Sequence, residues 1–292
     1  MSMTGTGTQA DPYIVDTWAD FVTAVGGNQA YVEVDTSTVN TWDFPKIVEG
    51  GLTAGVAWNA ASVNGNGLTI KGLYGSNIQY FFMGSSTTAK KYVYNINFLD
   101  FNKSSDITAV FNKFEYFNFG NCQFSGVVDG GYFVNRVTTS SAANAKTVFT
   151  TGVLGGTAHG CSFALHLVNG AKFCNADYVT IQHGNMNFIC DEPTITEALE
   201  LYESKITGDF PFLSFTNSGS GQNVIDADIS AIGTWSNANG VTLINTDKLA
   251  SGLSVPTGFT GVTSAQMLDV DALAAVGFTA YPEEEPEPEG GE

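Results

Sequence analysis

Charge is scarce in this chain, and positive charge scarcer still. Only 14% of its 292 residues are charged, and 29 acids face 11 bases. Soluble domains average about 25% charged residues. Arg136 is the single arginine, so the cationic side consists of ten scattered lysines. A nucleic-acid binder needs a basic face to release counterions. An anionic membrane surface asks for the same. No nucleic acid and no membrane partner is therefore expected. Long apolar runs are missing as well. The longest uncharged stretch, residues 147–171, contains five glycines, His159 and His166, which a bilayer span would not tolerate. The opening Met1 to Ala10 has neither a basic residue nor an apolar run, so it does not read as a secretory signal. These features predict a protein made in the cytosol that stays soluble, with a polar, flexible first ten residues.

Cysteine is sparse too. Cys122, Cys161, Cys174 and Cys190 each lie within two residues of a Phe or Ile, with no C-x-x-C spacing, which favours buried free thiols over staples or zinc. His159, His166 and His183 lie near them without an H-x-x-x-H pair, so no metal and no cofactor is predicted. Nucleophile elbows and phosphate-binding loops are absent. The Gly-rich segment Gly152 to Gly156 reads as turns.

Apolar residues make up 43% of the chain and aromatics 12%, enough to build a core. Helical periodicity is rare. Thr17 to Asp20 reads as a capping box opening a short helix over Trp18 to Val25, stopped at Gly26-Gly27. A second short helix is expected over Ala272 to Val276, capped by Asp271 and ended at Gly277. Elsewhere the chain alternates with period two. Asn95-Ile-Asn-Phe98, Asn121-Cys-Gln-Phe124, Gly160-Cys-Ser-Phe163 and Asn185-Met-Asn-Phe188 repeat one unit, and Phe212 adds a further step. Steps in the mid-twenties with one longer interval mark a repeat architecture. Alternation puts Ile96 and Phe98 on one side of a strand, and stacked coils would bury like residues on like. The fold class expected is all-β, a parallel β-solenoid. The alternative is a β-sandwich, for which Asn64-Gly65, Asn66-Gly67, Asp129-Gly130, Asn169-Gly170 and Asn239-Gly240 offer hairpin turns. Leu199 and Leu201 alternate, so Ala198 to Thr207 reads as another rung. The layout expected is a docking or cap segment over 1–30, a body over 31–262, a helical cap over 263–281 and a disordered acidic tail over 282–292. Six glutamates of that tail supply six of the eighteen net negative charges, leaving twelve on the body.

Among possible catalytic acids, Asp226 and Asp228 form the best local pair, two apart and so on one strand face. A glycosidase needs two such carboxylates in a groove. Asp191-Glu192 and Glu200 with Tyr202 are other candidates, and Arg136 is the only arginine a lyase could use. With 29 acids, neighbouring pairs also arise as plain solvating charge. Trp42 and Trp58 sit in Gly- and Asn-rich company, where a ring could face solvent and stack on a sugar. They are the ligand-binding candidates; Trp18 and Trp235 complete the set of four tryptophans.

Gly5-Thr-Gly-Thr-Gln-Ala-Asp11-Pro-Tyr-Ile-Val15, followed by a short helix, resembles the opening of β-helical repeat proteins found as phage virion proteins and bacterial surface proteins. Asn64-Gly-Asn-Gly-Leu-Thr-Ile-Lys-Gly-Leu73 resembles their rung, and Thr263 to Phe278 resembles their closing helix. The resemblance implies a right-handed β-helix with an N-terminal helical cap. It also implies a structural component of a phage particle: a spike, head fibre or decoration, often trimeric, bound to other virion proteins and to host-surface glycan. A depolymerase on the same fold and a secreted adhesin are the alternatives.

Overall fold

A computed structural model of the chain describes residues 3–84, 89–114, 116–135, 147–150, 161–168, 171–174, 179–182, 185–190, 199–202, 205–210, 213–217, 222–237 and 241–278. The chain is mostly β, and every pairing between the described strands is parallel. That excludes the sandwich alternative, because hairpins join antiparallel strands. Asn64-Gly65 and Asn66-Gly67 lie inside the strand Ser62–Lys71 rather than between two strands. Asp129-Gly130 links strands that pair with different partners. Asn169-Gly170 and Asn239-Gly240 lie outside the described residues.

The chain visits three stacks of strands in rotation. Phe117–Gly120, Gln123–Asp129 and Tyr132–Asn135 each pair with strands one circuit earlier and one circuit later. Lys91–Lys103 serves two stacks at once. Its first half pairs with Phe117–Gly120 and its second with Gln123–Asp129. Between the halves Asn95 adopts a left-handed backbone, φ 55°, and Asn121 does the same at φ 49° one circuit later. Asparagine tolerates this conformation. Here it also forms a ladder: Asn95 Nδ2 donates to Asn64 Oδ1 at 2.9 Å, and Asn121 Nδ2 donates to Asn95 Oδ1 at 2.8 Å.

One column of registered pairs runs through Trp42, Ile70, Phe98, Phe124, Phe163, Met186, Ile206, Ile225 and Ile244, and its described side chains are all buried. Phe98, Phe124 and Phe163 stack face on face, with centroids 5.6 and 5.2 Å apart and planes within 12°. The repeat read from sequence therefore holds for three phenylalanines. It slips at the fourth, since Met186 is the register partner of Phe163 and Phe188 that of Leu165. A two-residue offset keeps a side chain on the same face, so alternation alone could not detect it. Phe212 lies outside the described residues. Registered steps shorten toward the C-terminus, from 26 residues between Phe98 and Phe124 to 19 between Ile225 and Ile244, and there Leu213–Asn217 pairs with Ile232–Asn237 as a separate two-stranded sheet.

Both described ends fold back against the sheets. The helix Trp18–Gly26 begins as expected, with Asp20 N donating to Thr17 Oγ1 at 3.2 Å, and buries Phe21, Ala24 and Val25. Residues 3–11 are not a loose arm, contrary to expectation. Thr4 and Ile14 exchange backbone hydrogen bonds in an antiparallel bridge, and Tyr31 N donates to Gly7 O at 2.9 Å. This covers the outer edge of Tyr13–Val15, which would otherwise offer unpaired amides. Gly5 and Gly7 hold φ of 85° and 74°, and a Cβ there would run into the Pro12 carbonyl and the Tyr13 ring. The glycines are required by the turn. At the other end the helix is Val270–Ala275, starting two residues earlier than expected. Asp269, not Asp271, caps it by accepting from Asp271 N and Ala272 N. Residues 279–292 lie outside the described residues.

Two lysines are buried within this apolar frame. Lys103 Nζ donates to the carbonyls of Asp129, at 2.6 Å, and Ser104, at 3.0 Å. Burial pushes its pKa down to about 8, with the Asp129 and Asp106 charges pulling the other way. Lys91 lies 4.9 Å from the Phe117 ring centroid, and burial lowers it to about 8 too. Neither was visible in the alternation, because each sits at a strand end where partners come from the next circuit.

Candidate functional site

The strand Gln222–Ile229 alternates cleanly. Ile225, Ala227 and Ile229 point into the core, and Asp226 and Asp228 point outward. The next strand, Val241–Asn245, has both faces buried. Ile244 belongs to the main core, while Leu243 on the outer side joins Val262, Leu273 and Phe278 in a second small core. The closing segment thus folds over the outside of the last circuits. A groove of about 500 Å³ remains between that segment and the sheet.

The polar end of this groove is made by Asp226, Asn245, Lys248 and Ser264. Lys248 Nζ lies 2.9 Å from Asp226 Oδ1 and also donates to the Asp226 carbonyl at 3.1 Å. Asn245 Nδ2 donates to Asp226 Oδ1 at 2.8 Å and to Ser264 Oγ at 2.9 Å. Ser264 N donates to Asp247 Oδ2 at 2.8 Å. An ammonium and an amide on one carboxylate stabilise its anion. Asp226 is thus paired by Lys248 and Asn245, and Asn245 links it on to Ser264 of the closing segment.

Asp228 is exposed and does not line the groove. It lies in register beside Asp209 on the preceding circuit, also exposed. The two acids nominated from sequence share a strand face, as expected, but not a cleft. Arg136, Asp191-Glu192, His159 and His183 lie outside the described residues. So do the side chains of Glu200, Tyr202, Cys174 and Cys190. Cys122 and Cys161 are buried free thiols on adjacent circuits, and burial pushes the Cys161 thiol up. Among the described residues, no three His, Cys, Asp or Glu side chains gather as a metal site, and no helix is long and apolar enough to cross a membrane.

The tryptophan reading is overturned. Trp42 is 4% exposed and Trp58 is 0% exposed, so neither ring can meet a sugar. Both belong to an aromatic cluster under the N-terminal helix. Phe21 lies 5.4 Å from Trp42 and 5.7 Å from Trp58, each in edge-to-face geometry. Phe82 and Phe114 close on Trp58 from the other circuits. The Gly- and Asn-rich neighbours misled because outward polar residues alternate with inward rings along the same short strands. The groove itself escaped sequence reading. Its walls come from residues up to 54 positions apart, Val224 to Phe278, and only chain return brings them together.

Comparison with protein-family models, with curated proteins and with solved structures found no match.

Proposed function

We propose that the chain coils as a right-handed parallel β-helix and serves as a non-enzymatic structural component of a phage particle, as a spike, head fibre or decoration. The observation that carries this reading is the registered column from Trp42 to Ile244, carried by eight successive parallel pairings across nine strands. Such a stack is stabilised mainly by contacts between neighbouring circuits and gives a stiff rod. Low charge density suits it, because like charges stacked circuit on circuit repel. The same reading assigns it to the virion, with other virion proteins as partners, as a trimer, and with host-surface glycan as the surface it meets. Asp226, occupied by Lys248 and Asn245, acts as a clamp. Density-gradient purification of particles followed by mass spectrometry tests the reading. Recovery of the chain at fixed stoichiometry with capsid protein is expected; a chain found only in the soluble lysate would defeat it.

The depolymerase reading keeps one foothold, the exposed in-register pair Asp209 and Asp228. It predicts oligosaccharide release from host capsule or wall polysaccharide, abolished by Asp228→Asn. The structural reading predicts no release by either protein.

A further inference from the structure

The groove beside the closing helix has a feature that the clamp does not use. Six apolar side chains line it: Val224, Leu243, Met267, Leu268, Leu273 and Phe278. Leu268, which lines it, is 90% exposed, and Val270, two positions further on, is 64% exposed. They are the two most exposed large apolar side chains among the described residues. Exposed apolar surface beside an apolar groove marks an interaction site. Around it the charge is one-sided. Residues 222–278 carry Asp226, Asp228, Asp247, Asp269 and Asp271 against Lys248 alone, and Lys248 is already taken by Asp226. Asp228, Asp247, Asp269 and Asp271 are all exposed.

We infer that this groove docks a basic amphipathic segment of a partner protein, its apolar side chains against Leu268, Val270 and the groove floor and its lysines or arginines against the surrounding carboxylates. The charge selects this occupant over the other two at hand. A second copy would bring the same acidic rim against itself, and like charges juxtaposed across an interface are costly. The chain's own last ten residues carry six glutamates and no base, so the rim repels them. A segment with apolar residues at helical spacing and cationic flanks meets both parts of the surface. The inference concerns the surface alone and stands or falls separately from the assignment to a virion.

Fluorescence anisotropy on the full chain tests it, using a labelled synthetic 14-residue peptide of leucine and lysine with leucines at helical spacing. Two control peptides are needed, one of the same composition with scrambled order and one with glutamate in place of lysine. The test variant is Leu268→Asn with Val270→Asn; both side chains are exposed, so the fold is untouched. The patterned lysine peptide should bind, weaken as salt is raised, and lose about tenfold or more in affinity to the double variant, the scale expected when two apolar contact side chains are lost. The glutamate peptide should not bind. Equal binding of the scrambled peptide, or undiminished binding to the double variant, would show attraction by diffuse negative charge and overturn the inference. Absence of binding would overturn it as well. So would self-association of the chain in sedimentation velocity that the double variant abolishes, which would assign the surface to a second copy.

Discussion

Asn95 permits a prediction whose sign is more informative than its size. Its side chain donates to Asn64 and accepts from Asn121, at 2.9 and 2.8 Å, while its backbone is left-handed at φ 55°. Replacing it with glycine or alanine removes both hydrogen bonds, at about 1 kcal/mol each. Alanine adds the left-handed penalty of an ordinary residue, about 1–2 kcal/mol. Glycine adds instead its greater loss of chain freedom on folding, about 0.5–1 kcal/mol. Asn95→Gly should therefore be destabilised by roughly 2.5–3 kcal/mol and Asn95→Ala by about 0.5–1 kcal/mol more. In an ordinary strand the order is the reverse, with alanine the more stable. Urea denaturation of the two variants and the parent, followed by far-UV circular dichroism, measures it. Asn95→Ala as stable as Asn95→Gly, or more so, would refute the claim that the corner needs a left-handed residue. A loss below about 0.5 kcal/mol in both would refute the ladder's contribution.

Phe124, 1% exposed, stacks on Phe98 and Phe163 and meets Phe111, Phe119 and Phe133 edge-on; Phe124→Ala should cost about 4 kcal/mol, and an unchanged thermal midpoint would contradict the packing described. Gly5→Ala should lower the thermal midpoint by several degrees, whereas Gly252→Ala, with open space around it but φ 91°, should cost only its backbone strain, about 1–2 kcal/mol; equal losses would deny the Pro12 contact. Lys103 titrates near 8 when folded and at an ordinary 10.5 when unfolded, so between those values the unfolded chain holds the extra proton and this group's contribution to stability rises with pH. Burial raises Tyr94 and Cys161 instead, which acts oppositely, so the readout is the difference in thermal midpoint between the parent and Lys103→Met. That difference should shift in the parent's favour from about pH 8 to pH 10.5, and a flat difference would show that Lys103 is not desolvated.

The stacking of Phe98, Phe124 and Phe163 was legible because alternation and turn residues repeat locally. So was the helix opened by Thr17 and Asp20, a signal four residues long. The register at Met186 was not, since side-chain parity survives a shift of two. Parallel pairing itself was only half legible: Asn-Gly turns fit hairpins as well as corners, and only the partners one circuit away decide between them. Asp226 and Asp228 were placed on one outward face, but what each touches depends on how residues 241–278 return over the sheet. Lys248, Asn245 and Ser264 carry no motif, so the clamp had no sequence signal. Trp42 and Trp58 went wrong for a related reason: composition reports the neighbourhood along the chain, and burial is decided across circuits.

Cryo-electron microscopy of gradient-purified particles bears most directly on the central claim. A rod of parallel strands should project from the particle, its circuits about 4.8 Å apart, with the stacked rings of Phe98, Phe124 and Phe163 inside and the Trp18–Gly26 helix at one end. Particles that lack this density, or density for the chain with antiparallel strands, would contradict it.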